Sequence, residues 1–234
     1  MNLVLVEPAE LDGKRATLRG RRARHIALVH RAQAGRELRA GVVGGKIGTA
    51  TVVRADPGEV VLDIEADRDP PPALPCTLVV ALPRPKVLRR MLGAVAAFGI
   101  KRIVLMGAAR VEKSYWQSPL AGDSAIREEL LLGLEQAGDT LLPTVENRRL
   151  FRPFVEDELA RLASGSLALV ADPRAASPCP RAVGSAVTLV VGPEGGFVDF
   201  ELQLLRTAGM ACVTLGDRPL RVEHALAALL GRLF

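Results

Sequence analysis

The segment Asp69-Pro70-Pro71-Pro72-Ala73-Leu74-Pro75 constrains this chain more than any other. Proline has no backbone N–H to donate and a fixed φ, so four prolines in seven positions exclude a helix or a central strand. Such a cluster acts as a semi-rigid connector. The sequence changes rhythm across it, which predicts a body at residues 1–68, a proline-rich linker at 69–76 and a second body at 77–234.

Before the cluster the apolar runs are short and strand-like: Leu3–Val6, Ala16–Arg19, Glu37–Val43, Ile47–Val53 and Val60–Ile64. Turn formers separate them, among them Asp12-Gly13, the tight hairpin signal Gly44-Gly45, and Asp56-Pro57-Gly58. Short strands at this spacing predict a small β-barrel, with a helical turn or two at 22–31. After the cluster, apolar strands at 77–82, 102–106, 167–170, 187–191 and 212–215 alternate with helices. The helices fall at 86–98, 123–137 (Asp123 as N-cap, Gly138 closing it), 199–207 and 221–233. That alternation predicts an α/β fold with a parallel sheet covered on both faces.

Composition narrows the function. Hydrophobic residues make up 49% of the 234-residue chain, enough for a sizeable core, but aromatic residues only 3%. Six Phe, one Tyr and one Trp are too few for a protein that stacks base after base on aromatic rings. Lys and Arg number 31 against 26 Asp and Glu, for a net charge of +5 and a pI near 9.6, which suits a polyanionic partner. Cys76, Cys179 and Cys212 are scattered and form no CxxC pair, so neither a zinc site nor a disulfide framework is expected. Scattered thiols, no signal-peptide pattern at the N-terminus and no apolar run long enough for a membrane span predict a cytoplasmic protein.

In an open α/β sheet, ligands bind beyond the carboxyl ends of the strands. Three loops there carry the chemistry. Gly192-Pro193-Glu194-Gly195-Gly196-Phe197 combines glycines, which let backbone approach a ligand, with a carboxylate. It lacks the spacing of a dinucleotide or phosphate loop, and a plain strand-to-helix turn has a similar composition. Leu215-Gly216-Asp217-Arg218-Pro219-Leu220-Arg221 leads into a helix whose apolar residues recur every three or four positions, so Arg221, Glu223 and His224 cluster in its first turn. Arg221 opposes the helix dipole there, which suggests a task other than capping. The third loop is Val170-Ala171-Asp172-Pro173-Arg174, where Asp172 is a candidate hydroxyl or ammonium acceptor, though a strand-end turn would read the same.

Taken together, the segment from Val191 through Phe197, then Glu201, then Leu215-Gly216-x-Arg218-x-Leu220-Arg221-x-Glu223-x-Ala225 resembles the bacterial 16S rRNA uridine-N3 methyltransferases (RsmE-like), of the SPOUT class. Glu135-Gln136-x-Gly138 with Pro143, and His25-Ile26-x-x-Val29-x-Arg31-x-x-x-Gly35, extend the resemblance over nearly the whole chain. The resemblance implies a PUA-like RNA-binding barrel followed by a SPOUT α/β domain with a C-terminal trefoil knot. It implies S-adenosyl-L-methionine as cofactor, no metal, homodimerisation through the last helix, and 16S rRNA or the small ribosomal subunit as partner. The residues then expected at the cofactor are Val170, Ala171, Asp172, Gly192, Pro193, Glu194, Gly195, Gly196, Leu215, Gly216, Arg218 and Leu220. The expected catalytic set is Arg221, Glu223 and Glu194: Arg221 beside O2 or O4 of the uracil, and a glutamate to orient it or accept the N3 proton. The chain departs from the family at Val222 and His224, usually Thr, at Ala96-Ala97, usually Thr-Glu, and at Asp139, usually Arg.

Two features bear on RNA. Nine basic residues lie between Lys14 and Arg39 against the single acid Glu37, and Lys14, Arg15, Arg19, Arg21, Arg22, Arg24 and Arg31 are the expected phosphate contacts, with Arg84 and Lys86 as a second basic site. The only Tyr and the only Trp, Tyr115 and Trp116, are neighbours in a polar loop after the strand 102–106. They suit either a platform for a base or a lid packed on a partner subunit. The sequence leaves open a SPOUT enzyme of other specificity, such as ribose 2′-O-methylation, and a non-catalytic RNA-binding assembly protein.

Overall fold

The structure, a computed structural model, describes residues 2–234. The chain divides into two units: Met1–Pro72 with Leu131–Leu142, and Ala73–Leu130 with Pro143–Phe234.

The first unit contains β1 (Val4–Val6), β2 (Leu11–Asp12), β3 (Arg15–Arg19), α1 (Gly20–Arg24) running into a π-helical turn (His25–Val29), β4 (Glu37–Val42), β5 (Ile47–Ala55) and β6 (Glu59–Arg68). The strands form one curled sheet in the order β1-β4-β5-β6-β3-β2, antiparallel except for the β1–β4 pair. Period-two alternation builds its core. Ala16 and Leu18 on β3 and Val60, Leu62 and Ile64 on β6 point inward and are buried with Val52 and Ile26. The outward positions of the same strands carry the charges. Arg15 faces Asp63 and Arg19 faces Glu59 in register, and their side chains pair at 2.9 and 2.6 Å. The Arg15 guanidinium holds the Asp63 carboxyl below its ordinary pKa. The stretch at 131–142 belongs to this unit: the N–H groups of Asn2 and Leu3 donate to the Glu135 carbonyl, and that of Gly44 to Thr140. The Glu135 carboxylate is buried and meets Arg21 at 2.7 Å.

The second unit contains β7 (Cys76–Ala81), α2 (Pro85–Ala97), β8 (Arg102–Met106), a 3-10 turn (Lys113–Gln117), the first part of α3 (Asp123–Ala137) and β9 (Thr144–Arg148). A broken helix follows: α4 (Phe151–Pro153), a π-helical turn (Phe154–Leu159) and α5 (Ala160–Leu162). Then come β10 (Leu167–Ala171), β11 (Val187–Val191), α6 (Asp199–Thr207), β12 (Ala211–Val213) and α7 (Val222–Leu233). The sheet order is β12-β10-β11-β7-β8-β9 and every pair is parallel. All carboxyl ends therefore emerge on one side, and those of β12, β10 and β11 are immediate neighbours.

Several local expectations are corrected. Asp123 is the first helical residue rather than the cap, and Arg221 is the N-cap of α7 rather than part of it. Strand β12 stops at Val213, and Thr214 continues only as a single bridge to Pro178. Strand β9 and the helix at 151–162 were not anticipated. Strand β9 reads Thr-Val-Glu-Asn-Arg with no apolar run, because it is an edge strand. Its Glu146 pairs with Arg102, and its Arg148 with Glu158, each at 2.9 Å. Within 151–162, Pro153 sits in the first turn, where proline is tolerated, and the π turn breaks the 3.6-residue period while still burying Phe154, Val155 and Leu159. Cys76 and Cys179 are buried as small apolar residues, and burial pushes the Cys76 thiol up to about 12. Among the described residues no helix is long and apolar enough to cross a membrane.

The register shift in β5 between Ile47 and Gly48 brings the β6 backbone against Gly48, where an added Cβ would lie 1.8 Å from the Glu65 carbonyl oxygen. Nothing flexible can yield there. Gly48→Ala is expected to lower the unfolding free energy by about 1–3 kcal/mol in urea denaturation; an unchanged midpoint would show that this strand pair relaxes freely.

Candidate active site

The three loops that leave β10, β11 and β12 converge on one cavity of about 350 Å3. Ala171, Asp172, Gly192, Pro193, Glu194, Gly195, Gly196, Leu215, Gly216, Arg218 and Leu220 all line it. Val170 does not; it is fully buried among the core side chains behind the cavity. Pairing of β10 with both β11 and β12 is what brings three loops together that are distant in sequence.

The second loop is close-packed around its glycines. A Cβ on Gly192 would lie 3.1 Å from the Phe197 ring, and one on Gly195 would lie 3.0 Å from Cδ of Arg110. Gly196 turns the chain at φ +71°, with its N–H donating to Pro193. Backbone therefore forms the cavity wall in place of side chains. The Gly195 carbonyl in turn accepts a hydrogen bond from the Arg110 guanidinium.

Glu201 holds this arrangement. Its side chain is buried, and its two oxygens accept from Ala109 N–H at 2.7 Å and Val198 N–H at 3.0 Å. One carboxylate thus fastens the loop after β8 to the exit of the glycine loop, and places Arg110 beside Gly195. Arg174 performs a similar task opposite. It reaches Asp172 at 3.4 Å, Asp199 at 2.9 Å and the Phe197 carbonyl at 3.4 Å. Arg110 and Arg174 were not singled out in sequence; their signal was position, just beyond the ends of β8 and β10.

The three acid–base candidates separate. Glu194 lines the cavity and accepts the N–H of Arg84, the residue just ahead of α2, at 3.0 Å. Glu223 does not line it; its carboxylate pairs with Arg90 of α2 at 3.0 Å. Arg221 lies between two lining residues, Leu220 and Val222, and is exposed, with no ionic partner among the described residues. The apolar floor comes from Val191, Val213, Val222 and Leu229.

The basic residues are less bare than their sequence suggests. Lys14, Arg15, Arg19, Arg21 and Arg22 meet Glu65, Asp63, Glu59, Glu135 and Glu10 respectively. Arg24 and Arg31 are exposed without such partners among the described residues, and Arg31 adopts φ +48°. Lys86, in the first turn of α2, likewise has no ionic partner among the described residues. Tyr115 donates its hydroxyl to Glu112 at 3.1 Å. Burial and this bond push the hydroxyl up, and Arg84 opposes them. Trp116 turns instead toward Arg149, whose guanidinium lies 5.5 Å from the ring centroid.

A cavity walled in part by glycine backbone beyond the carboxyl ends of a parallel sheet, with Glu194 and Asp172 in its lining, is the ligand-site geometry of an open α/β fold. Residues 70–233 match the RNA methyltransferase domain family. The chain is 33% identical to the ribosomal RNA small subunit methyltransferase E of Treponema pallidum over 97% of this chain and 88% of that protein. It is 27% identical to the protein of the same name from Mycobacterium bovis, over 98% and 89%. The crystal structure of a ribosomal RNA small subunit methyltransferase E from Neisseria gonorrhoeae bound to S-adenosyl methionine shares the fold, with TM-score 0.74 at 22% identity, over 97% of this chain and 95% of that one. The chain belongs to the ribosomal RNA small subunit methyltransferase E family of RNA methyltransferases.

Removing the Glu201 carboxylate leaves two loop N–H groups without an acceptor. Glu201→Ala is expected to cost about 1–3 kcal/mol in denaturant unfolding, and Glu201→Gln, which keeps one acceptor oxygen, a smaller part of that. Equal losses for both variants would mean that the charge, not the bridge, holds the loops.

Proposed function

We propose that this protein transfers a methyl group from S-adenosyl-L-methionine to N3 of a uridine in 16S rRNA. One observation carries the reading: the glycine loop, the Leu215–Leu220 loop and Glu194 line a single cavity, and Arg221 lies in the chain between two of its lining residues, Leu220 and Val222. The cavity suits the cofactor. Its apolar floor fits an adenosine, its backbone walls offer N–H and C=O groups, and Asp172 and Glu194 are acids suited to a cationic ligand. When bound, the cofactor supplies an electrophilic methyl on a sulfonium.

The chain's own residues have two tasks. The uracil must be held in line with that methyl, and its N3 proton must be removed while negative charge grows on the ring. Arg221, next to two lining residues and without a carboxylate partner among the described residues, carries the guanidinium that stabilises the uracil anion at O2 or O4. Glu194, inside the cavity, accepts the N3 proton. Glu223 holds Arg90 and so fixes the first turn of α7 against α2, positioning Arg221 from outside the cavity.

Residues 1–68, completed by 131–142, serve as a PUA-like barrel that grips RNA through Arg24, Arg31 and the paired basic face, with 69–76 as linker and the rest of 77–234 as a SPOUT domain. A trefoil knot in its C-terminal part is supported by the clasp on the last helix. There Ala182 and Val183 N–H groups donate to the Arg232 and Leu233 carbonyls, and Arg232 donates to the Cys179 carbonyl at 2.5 Å. The working form is a homodimer in the cytoplasm, paired through α7.

The test is methylation of small subunits or 16S rRNA lacking the modification, with the methyl mapped by mass spectrometry of nucleoside digests. The expected product is a base-methylated uridine carrying the group at N3. A methyl on ribose would reassign the specificity, and no transfer despite cofactor binding would make the protein a non-catalytic binder. Arg221→Ala is expected to lower kcat by about 10²–10³, with cofactor affinity by calorimetry within about threefold of wild type; near-normal turnover would remove Arg221 from the mechanism.

A further inference from the structure

A second cavity, of about 510 Å3, lies beside the loop that follows β8. Its size is within the range of ligand sites. Trp116, Lys113, Arg149 and Leu150 line it, and none of them belongs to the first cavity. The chemistry of this lining is specific. It joins one half-buried indole, two cations without carboxylate partners among the described residues, and a leucine left 69% exposed. The Arg149 guanidinium lies over the indole. Such a surface offers a flat apolar face beside two positive charges, which is what a nucleotide presents in reverse: a base with a phosphate attached.

The scaffold around it is rigid. Gly107 donates to the Arg148 carbonyl at 2.8 Å, and a Cβ on it would lie 2.1 Å from the Arg149 carbonyl oxygen. The backbone that presents Arg149 is therefore locked against the end of β8. The two cavities also share one stretch of chain. Arg110 lines the first, while its neighbours Ala109 and Val111 line the second. The 3-10 turn divides in the same way: Tyr115 faces Glu112 and Arg84, and Trp116 faces Arg149. Glu201 pins this stretch through Ala109.

We infer that the Trp116–Arg149–Lys113 cavity is a subsite for a nucleotide flanking the target uridine, its base against Trp116 and its phosphate at Lys113 and Arg149. The inference rests on the reading of the chain as an RNA methyltransferase. Single-stranded RNA whose target base meets the cofactor at the mouth of the first cavity lays an adjacent nucleotide across the shared stretch at 109–111. The subsite contributes to substrate affinity and to the choice of flanking base rather than to methyl transfer itself.

Trp116 is the only tryptophan in the chain, so intrinsic fluorescence reports this site alone. Titrating the full-length protein with a single-stranded hexauridylate is expected to quench that fluorescence saturably, and an abasic hexamer is expected to leave it unchanged. Equal effects of the two oligomers, or no quench by either, overturn the inference. In methylation assays on undermethylated small subunits, Trp116→Ala is expected to raise KM on the order of tenfold, with the loss on KM rather than kcat and unaltered cofactor affinity. Trp116→Phe should restore KM to within about threefold. A KM for Trp116→Ala within twofold of wild type overturns the subsite. Should that variant not fold, Lys113→Ala combined with Arg149→Gln carries the same test. Failure of the wild-type protein to methylate subunits would count against the proposed function, and the quenching result would still decide the subsite.

Discussion

The buried carboxylate of Glu201 is the interaction on which the site depends. The loops after β8 and β11 are polar backbone segments beyond the end of the sheet, where no ladder hydrogen bonds reach them. Two oxygens on one side chain satisfy an N–H from each. Without that bridge the glycine loop would keep its composition but lose its position, and Arg110 would lose its register with Gly195. Glu201 comes from the first turn of α6, where an acid also complements the helix dipole. One residue therefore begins a helix, orders two loops and shapes a cavity wall.

Charge in this chain is organised by strand pairing more than by sequence neighbourhood. Along the chain, the basic run from Lys14 to Arg39 has one acid within it. In space, β6 runs antiparallel to β3 and supplies Glu59, Asp63 and Glu65 on the same outward face. These are largely exposed pairs, each of small energetic weight. Two of the cations without such partners among the described residues, Arg24 and Arg31, flank the π-helical turn and its exposed Leu28 and Val29.

The loops that line the first cavity were legible because strands and glycines leave strong local marks. Uninterrupted Val-Thr-Leu-Val-Val followed by Gly-Pro-Glu-Gly-Gly locates both a buried strand and a cavity-lining loop. What could not be read was pairing at a distance. Val170 sits next to Ala171 in sequence, yet strand alternation sends one into the core and the other to the cavity. Glu223 and Arg221 look like one cluster, but α2 claims the glutamate through Arg90. Strand β9 escaped notice because an edge strand closed by ion pairs carries no apolar signature.

The first unit is assembled from two stretches of chain, since residues 131–142 join it after most of β7 to α3 has been passed. During translation the early strands must then wait, with the amides of Asn2, Leu3 and Gly44 lacking the carbonyls of Glu135 and Thr140 that later satisfy them. The loops that line the first cavity come later still, and α7, which also lines it, follows them. The first unit therefore cannot be completed from residues 1–72 alone; it closes only once residues 131–142 have been made, and the cavity only once α7 has.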